Sequence, residues 1–126
     1  GRKTENVRLP GVLHSVNPVA VDHLPVYKEN AREYCLLETE AFGTVLVMEV
    51  GALLVGRIRN HHGACAVRKG MEKGYFEFGG STIVLGLERG RAAVDADILA
   101  NSREGLETLV RLGERVGVAA ERTADA

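Results

Sequence analysis

Residues Thr44 to Val50 read TVLVMEV, a run of β-branched and apolar side chains closed by Gly43 on one side and Gly51 on the other. A run this short, bounded by turn formers, reads as a strand covered on both faces. The wider apolar stretch from Val45 to Val55 is interrupted by Glu49 and Gly51. It is too short and too broken for a transmembrane helix. Leu53 to Ile58 (LLVGRI) follows a tight Gly51-Ala52 connection, so the two runs are expected to form an antiparallel, buried hairpin, with Gly56 marking a bulge or a close backbone approach.

Further short strands are expected at Glu33 to Thr39, Tyr75 to Phe78, Ile83 to Leu87 and Arg91 to Val94. The first segment, Gly1 to Val21, carries Pro10-Gly11 and Asn17-Pro18 and reads as extended chain with bends. Near the end, Asn101 and Glu104 have capping-box spacing. The glycines at 105, 113 and 117 each weaken a helix by about 1 kcal/mol. The reading is therefore a short helix over Asp97 to Arg103 and a strand over Thr108 to Leu112. The fold class expected is mainly β: a compact sandwich or barrel-sandwich-like domain of short strands with one short C-terminal helix.

At 126 residues the chain fits one domain, 1–126. A formal charge of -1, with no basic block, gives no electrostatic case for nucleic acid. Cys35 and Cys65 lack CxxC spacing and are expected to be buried free thiols, with no zinc site. No signal peptide is evident. Gly1-Arg2-Lys3, without Met, reads as a truncated or processed end.

Chemistry concentrates at Gly79-Gly80-Ser81-Thr82. Gly80 has no Cβ, so it can take strained backbone angles and leave its carbonyl open to attack by the neighbouring hydroxyl of Ser81. On residue types alone, a Gly-Gly turn whose hydroxyl bonds its own backbone is the simpler reading. His14 and His23 lie in the turn-rich first segment and suit structural roles. His61-His62 precede Gly63 in a loop, and adjacent residues on a strand point apart, so no metal site is expected there. The charged run Arg68 to Lys73 reads as a solvated loop that could meet anionic lipid head groups.

The segment from Lys73 to Leu85 (KGYFEFGGSTIVL) resembles the self-cleavage segment of phosphatidylserine decarboxylases. That family's signature is an acidic-Xaa-Gly-Xaa-Phe stretch, then Gly-Ser-Thr, then an apolar strand; here Glu72, Gly74 and Phe76 fill the first part. The likeness continues in order from Pro10 to Gly117. Pro10-Gly11 and Ser15-Val16-Asn17 match its early Pro-Gly and Ser/Thr-Val-Asn. Asn30 to Glu33 resembles its Asn-Glu-Arg-Val segment, Glu38-Thr39-Glu40 and Phe42-Gly43 its Asp/Glu-Thr-Glu-Phe-Gly, and Gly51 to Ile58 its Val-Gly-Ala and Val-Gly-Xaa-Ile hairpin.

The resemblance implies that Ser81 Oγ attacks the Gly80 carbonyl and converts the peptide to an ester. β-Elimination then releases a chain ending at Gly80 and leaves residue 81 as an N-terminal pyruvoyl cofactor, with no metal required. Its keto group condenses with the amine of phosphatidylserine and withdraws electrons as the carboxylate leaves as CO2, giving phosphatidylethanolamine. Gly79 and Thr82 would support the site. The implied partners are a phospholipid substrate and the membrane surface at its cytoplasmic face. Association of the two cleavage products, and of copies of the chain, is also implied. The family pairs its serine with an Asp-His couple, whose histidine belongs to a His-Xaa-Xaa-His motif upstream. This chain has no such motif, so Ser81 is expected to remain an intact serine bonded to Gly80, with His14, His61 and His62 as the alternative bases.

Two other readings compete. The hairpin and Leu112 to Gly117 are similar to lipoyl-like and sugar-phosphotransferase barrel-sandwich domains, but those need a Lys at an exposed hairpin tip, or paired active-site histidines, and Gly51-Ala52 has no Lys at its tip. The third reading is an inactive fragment.

Overall fold

The computed structural model describes residues 1–14, 26–52, 57–78 and 81–120. Its strands are β1 (Arg2–Lys3), β2 (Val7–Leu9), β3 (Arg32–Thr39), β4 (Gly43–Val50), β5 (Arg57–Asn60), β6 (Cys65–Ala66), β7 (Gly74–Glu77), β8 (Thr82–Leu87), β9 (Ala92–Val94) and β10 (Gly117–Ala119). A 3-10 turn covers Val26–Glu29, and the α-helix α1 covers Ala96–Arg103. The main sheet has the order β6-β1-β3-β4-β8, with β2 also pairing β3. Two-stranded sheets form from β5 with β7 and from β9 with β10. The described residues are thus mainly β in several sheets, without a closed barrel, as in a β-sandwich.

The hairpin that organises the fold is β3–β4, not the expected pairing of Thr44–Val50 with Leu53–Ile58. Eight pairs run from Arg32↔Val50 to Thr39↔Gly43. Three residues, Glu40 to Phe42, close the turn, and Gly43 takes φ 68°, the left-handed geometry that such a turn assigns to glycine. Thr39 Oγ1 locks it, donating to the Gly43 carbonyl at 3.0 Å and accepting the Phe42 N–H at 3.0 Å. The other side of β4 pairs with β8, Val45↔Leu87 through Val50↔Thr82. With both edges of β4 taken, Arg57 and Ile58 pair instead with Glu77 and Phe76 of β7. Leu53 to Gly56 lie outside the described residues.

Alternation along β3 and β4 puts Cys35, Val45 and Val47 on one face, where they form the buried core with Leu37 and Phe42 against it. On the opposite face of β4 Val50 is buried while Leu46 and Met48 are half-buried, so the expected two-sided burial is reached only in part among the described residues. Cys35 and Cys65 are both free; Cys35 is buried and Cys65 half-buried. Burial pushes the Cys35 thiol up from its ordinary pKa, against a smaller opposing pull from Lys73 and Lys3.

In the C-terminal third, α1 (Ala96–Arg103) agrees with the helix expected over Asp97 to Arg103 to within one residue; Asp95 is its N-terminal boundary, and Asn101 of the capping-box spacing sits inside it. Its end is a Schellman motif: Leu106 N–H donates to the Asn101 carbonyl at 2.9 Å and Gly105 N–H to that of Ser102 at 3.2 Å, with Gly105 at φ 71°. The glycine that weakens a helix interior here terminates one. No strand forms over Thr108 to Leu112, because Glu114 N–H donates to the Arg111 carbonyl at 2.9 Å and turns the chain there. The last strand is β10, paired with β9. No described helix is long and apolar enough to cross a membrane.

Candidate active site

Ser81 precedes β8, directly after the segment that returns from β7. Its Oγ–H donates to the main-chain carbonyl of Val50 at 2.5 Å, and the next residue, Thr82, pairs with Val50 across the β4–β8 ladder. By alternation Ser81 shares the core-side face with Ile83 and Glu49. It is half-buried, while Thr82 is exposed. Gly79 and Gly80 lie outside the described residues, so the strain expected at Gly80 is not located there. Strain is found two residues earlier. Phe78 has φ 69°, alone among the described non-glycine residues in that region, and is 84% exposed. An aromatic side chain held left-handed costs about 1–3 kcal/mol.

Gly74, in the acidic-Xaa-Gly-Xaa-Phe stretch, has a steric reason. A Cβ there would lie 2.1 Å from the Arg59 carbonyl oxygen of β5, so the β5–β7 ladder closes only on glycine. Tyr75 and Phe76 then extend β7 toward Phe78 and Ser81.

Asn30 anchors the Ser81 end of β4. It is 1% exposed; its Nδ2 donates to the Gly51 carbonyl at 2.8 Å and to the His14 carbonyl at 2.9 Å, and its Oδ1 accepts the His14 N–H at 2.8 Å. The His14 backbone is thereby tied to the residue after Val50, while its imidazole turns to Glu29 at 3.7 Å. His61 bonds Glu72 at 3.0 Å and its ring lies 5.7 Å from that of Tyr75. His61 N–H donates to the Lys73 carbonyl at 2.9 Å, so His61 and His62 lie past the Asn60↔Gly74 end of the β5–β7 ladder, opposite the Glu77 end that leads to Ser81. Among the described residues no imidazole hydrogen-bonds Ser81; His23 lies outside them. No group of three His, Cys, Asp or Glu able to hold a metal occurs among the described residues.

Sequence reasoning missed a polar cluster between the two larger sheets. Lys73 Nζ donates to Glu49 Oε1 and, at 2.6 Å, to Asn60 Oδ1, while Asn60 Nδ2 donates to Glu33 Oε2 at 2.8 Å. Lys73 therefore does not belong to a solvated loop. Glu49 is 7% exposed, and its Oε2 is buried without a partner among the described residues. The available signal was Glu49 itself, a charge within a run read as buried, which demands a counter-charge. Lys3, read as part of a bent N-terminal segment, is likewise buried, donating to Asn6 Oδ1 at 2.9 Å and to the Thr4 carbonyl at 3.0 Å.

Residues 1–118 match the family model described as phosphatidylserine decarboxylase. The chain is 50% identical over 107 residues to phosphatidylserine decarboxylase proenzyme 2 of Clostridium acetobutylicum, covering 85% of the chain and 36% of that protein. It is 44% identical over 119 residues to a phosphatidylserine decarboxylase proenzyme of Clostridium botulinum (93% of the chain, 40% of the relative). It is 43% identical over 116 residues to that of Clostridium tetani (90% and 39%). The chain thus spans less than half the length of these curated relatives. No solved structure matches it.

Proposed function

The chain belongs to the phosphatidylserine decarboxylase family, and from that premise we propose that it carries the self-cleavage site of an enzyme converting phosphatidylserine to phosphatidylethanolamine. The observation that supports this best is Ser81: a half-buried hydroxyl heading β8, the last strand in the order of the main sheet, preceded within three residues by a strained turn, inside the matched segment.

In this reading Ser81 Oγ attacks the Gly80 carbonyl carbon, the C–N bond breaks to give an ester, and β-elimination expels the Gly80 carboxylate. Hydrolysis of the dehydroalanine left at residue 81 releases ammonia and yields the pyruvoyl group. Ser81 is the right residue at the right end of β8: its oxygen lies on Cβ, as elimination requires, and Thr82 pairing with Val50 fixes the backbone that will carry the new terminus. The pyruvoyl group supplies an electron sink for loss of CO2. Val50 holds the Ser81 proton through its carbonyl, and a carbonyl is far too weak a base to take it. Proton removal therefore falls to a group that displaces this bond. We assign that group to the part of the full-length protein that the relatives carry and this chain does not span. Asn30 keeps Gly51, and with it the end of β4, in place during the exchange.

The reading places the enzyme peripherally at the cytoplasmic face of the membrane, where its lipid substrate resides, with the two cleavage products remaining associated. The test is CO2 release from carboxyl-labelled phosphatidylserine by the full-length protein, run beside intact-mass analysis for a chain ending at Gly80. A Ser81→Ala protein that releases CO2 at the wild-type rate would overturn it.

A further inference from the structure

A cleft of about 280 Å³ lies where β2 and the start of β3 meet β5, and four of its seven lining residues are arginines: Arg8, Arg32, Arg57 and Arg59. Three of them are held in place. Arg32 donates from Nε to the Asn30 carbonyl at 2.9 Å and from a terminal nitrogen to that of Lys28. Arg57 and Arg59, alternate residues of β5, share the two carboxylate oxygens of Glu77 at 3.2 and 2.7 Å. Arg8, cross-strand from Glu33, is exposed and has no acidic partner among the described residues. Four of the lining residues are arginines and one, Glu33, is acidic, while Glu77 bridges Arg57 and Arg59.

We propose that this arginine-lined cleft is a phosphate-ester site that takes the headgroup phosphodiester of a membrane phospholipid. The chemistry follows from the guanidinium. It presents five donors in a planar fork matched to phosphate oxygens, stays charged at any working pH, and here is oriented before the anion arrives. Arg57 and Arg59 each show one N–H on Glu77, and a guanidinium has more to offer. Concave walls with an excess of one charge also concentrate the field on a counter-ion. The placement matters as much. Arg57 faces Glu77 across the ladder, and Ser81 follows Glu77 by four residues, at most about 14 Å of extended chain. A headgroup whose phosphate is held here keeps its amino-acid end at the same end of the fold as Ser81.

The choice of a lipid rests on the proposed function; the phosphate chemistry does not. The test is calorimetric titration of the protein with glycerophosphoserine, the soluble headgroup, and separately with inorganic phosphate. It is paired with co-sedimentation on phosphatidylcholine vesicles with and without phosphatidylserine. Arg8→Gln and Arg57→Gln are each expected to weaken glycerophosphoserine about tenfold, the effect of one charge-assisted contact, and to weaken vesicle binding in parallel. Arg8→Lys should retain part of the affinity, and Arg89→Gln, on an exposed turn elsewhere, all of it. Melting temperatures taken beside each titration separate lost binding from lost fold. Wild-type affinity in both Arg8→Gln and Arg57→Gln would overturn the site. Inorganic phosphate binding as tightly as glycerophosphoserine, with the same dependence on the arginines and no gain on vesicles, would overturn the lipid assignment. Ser81→Ala protein should bind headgroup like wild type, so failure of the decarboxylase reading leaves this measurement standing.

Discussion

The Ser81 hydroxyl and the Val50 carbonyl, 2.5 Å apart, join the head of β8 to the end of β4 at the point where the chain is expected to cleave itself. The bond holds the Ser81 hydroxyl in place, and the Val50 carbonyl is too weak a base to activate it. Ser81→Ala in the full-length protein should abolish both chain cleavage and CO2 release, since alanine has neither an attacking oxygen nor a leaving group. Ser81→Thr and Ser81→Cys should retain some cleavage, because each keeps a nucleophile on Cβ. For stability alone, Ala should cost only about 1 kcal/mol, the worth of one ordinary hydrogen bond. Gel analysis of cleavage beside a denaturant titration separates the two effects. For the chain of residues 1–126 by itself, intact mass should show an uncut Gly80–Ser81 bond, as no described imidazole bonds Ser81.

Glu49 and Lys73 tie the β5–β7 sheet to the main sheet from a largely dry position, with side chains 9% and 22% exposed. Removing one partner leaves the other charge uncompensated, so Glu49→Leu or Lys73→Met should each destabilise by about 3 kcal/mol. The double variant should recover most of that loss, since apolar side chains of similar volume replace the pair. Urea midpoints of the four proteins form the cycle, and additive losses would show that the pair is not coupled.

Phe78 gives a prediction of opposite sign. Its φ of 69° suits glycine, and at 84% exposure the ring contributes little burial. Phe78→Gly should therefore raise stability by about 0.5–1 kcal/mol, whereas Phe78→Ala, which keeps a Cβ in the same backbone region, should not. Thermal melts of the three proteins decide it. A loss of stability in the glycine variant would mean that the ring makes contacts outweighing the strain.

Acid should reach the β5–β7 sheet through Glu77. Hydrogen bonding from Arg59, then from Arg57, holds its carboxyl below the usual carboxylate range. A depressed folded-state pKa means that the contribution is complete above the ordinary glutamate value, about 4.3, and is lost as pH falls through the lower folded value. Wild type and Glu77→Gln should thus differ most in stability near neutrality and converge as the pH drops below about 4. Denaturation midpoints measured from pH 7 down to pH 3 check the sign; a gap that widens toward acid would contradict it.

The lesson of the β4 region is specific. TVLVMEV between two glycines was readable as a strand, because local β-branching and glycine punctuation act within a few residues. Its partner was not readable. Both β3 and Leu53–Ile58 are apolar, close in sequence and separated by a plausible turn. The choice fell to the Glu40–Phe42 turn, whose geometry is completed by Gly43 and the Thr39 hydroxyl, and to β8, which arrives from over thirty residues away to take the other edge. The same holds at the C-terminus, where Gly105 reads equally well as a helix breaker or a helix cap until the Asn101 carbonyl is in reach.

Ser81 and the glycines before it could be proposed as a site from sequence because the chemistry proposed for them is local: one hydroxyl beside one carbonyl, framed by a stretch in which Gly74 is required by the Arg59 carbonyl. What only the tertiary structure decided is long-range pairing. Val50 meets Ser81 across 31 positions, Lys73 meets Glu49 across 24, and Asn30 meets Gly51 across 21. Such contacts depend on which strands become neighbours. That is set by competition among edges and by the need to pair every buried polar group, terms that belong to the assembled sheet and to no single segment of the chain.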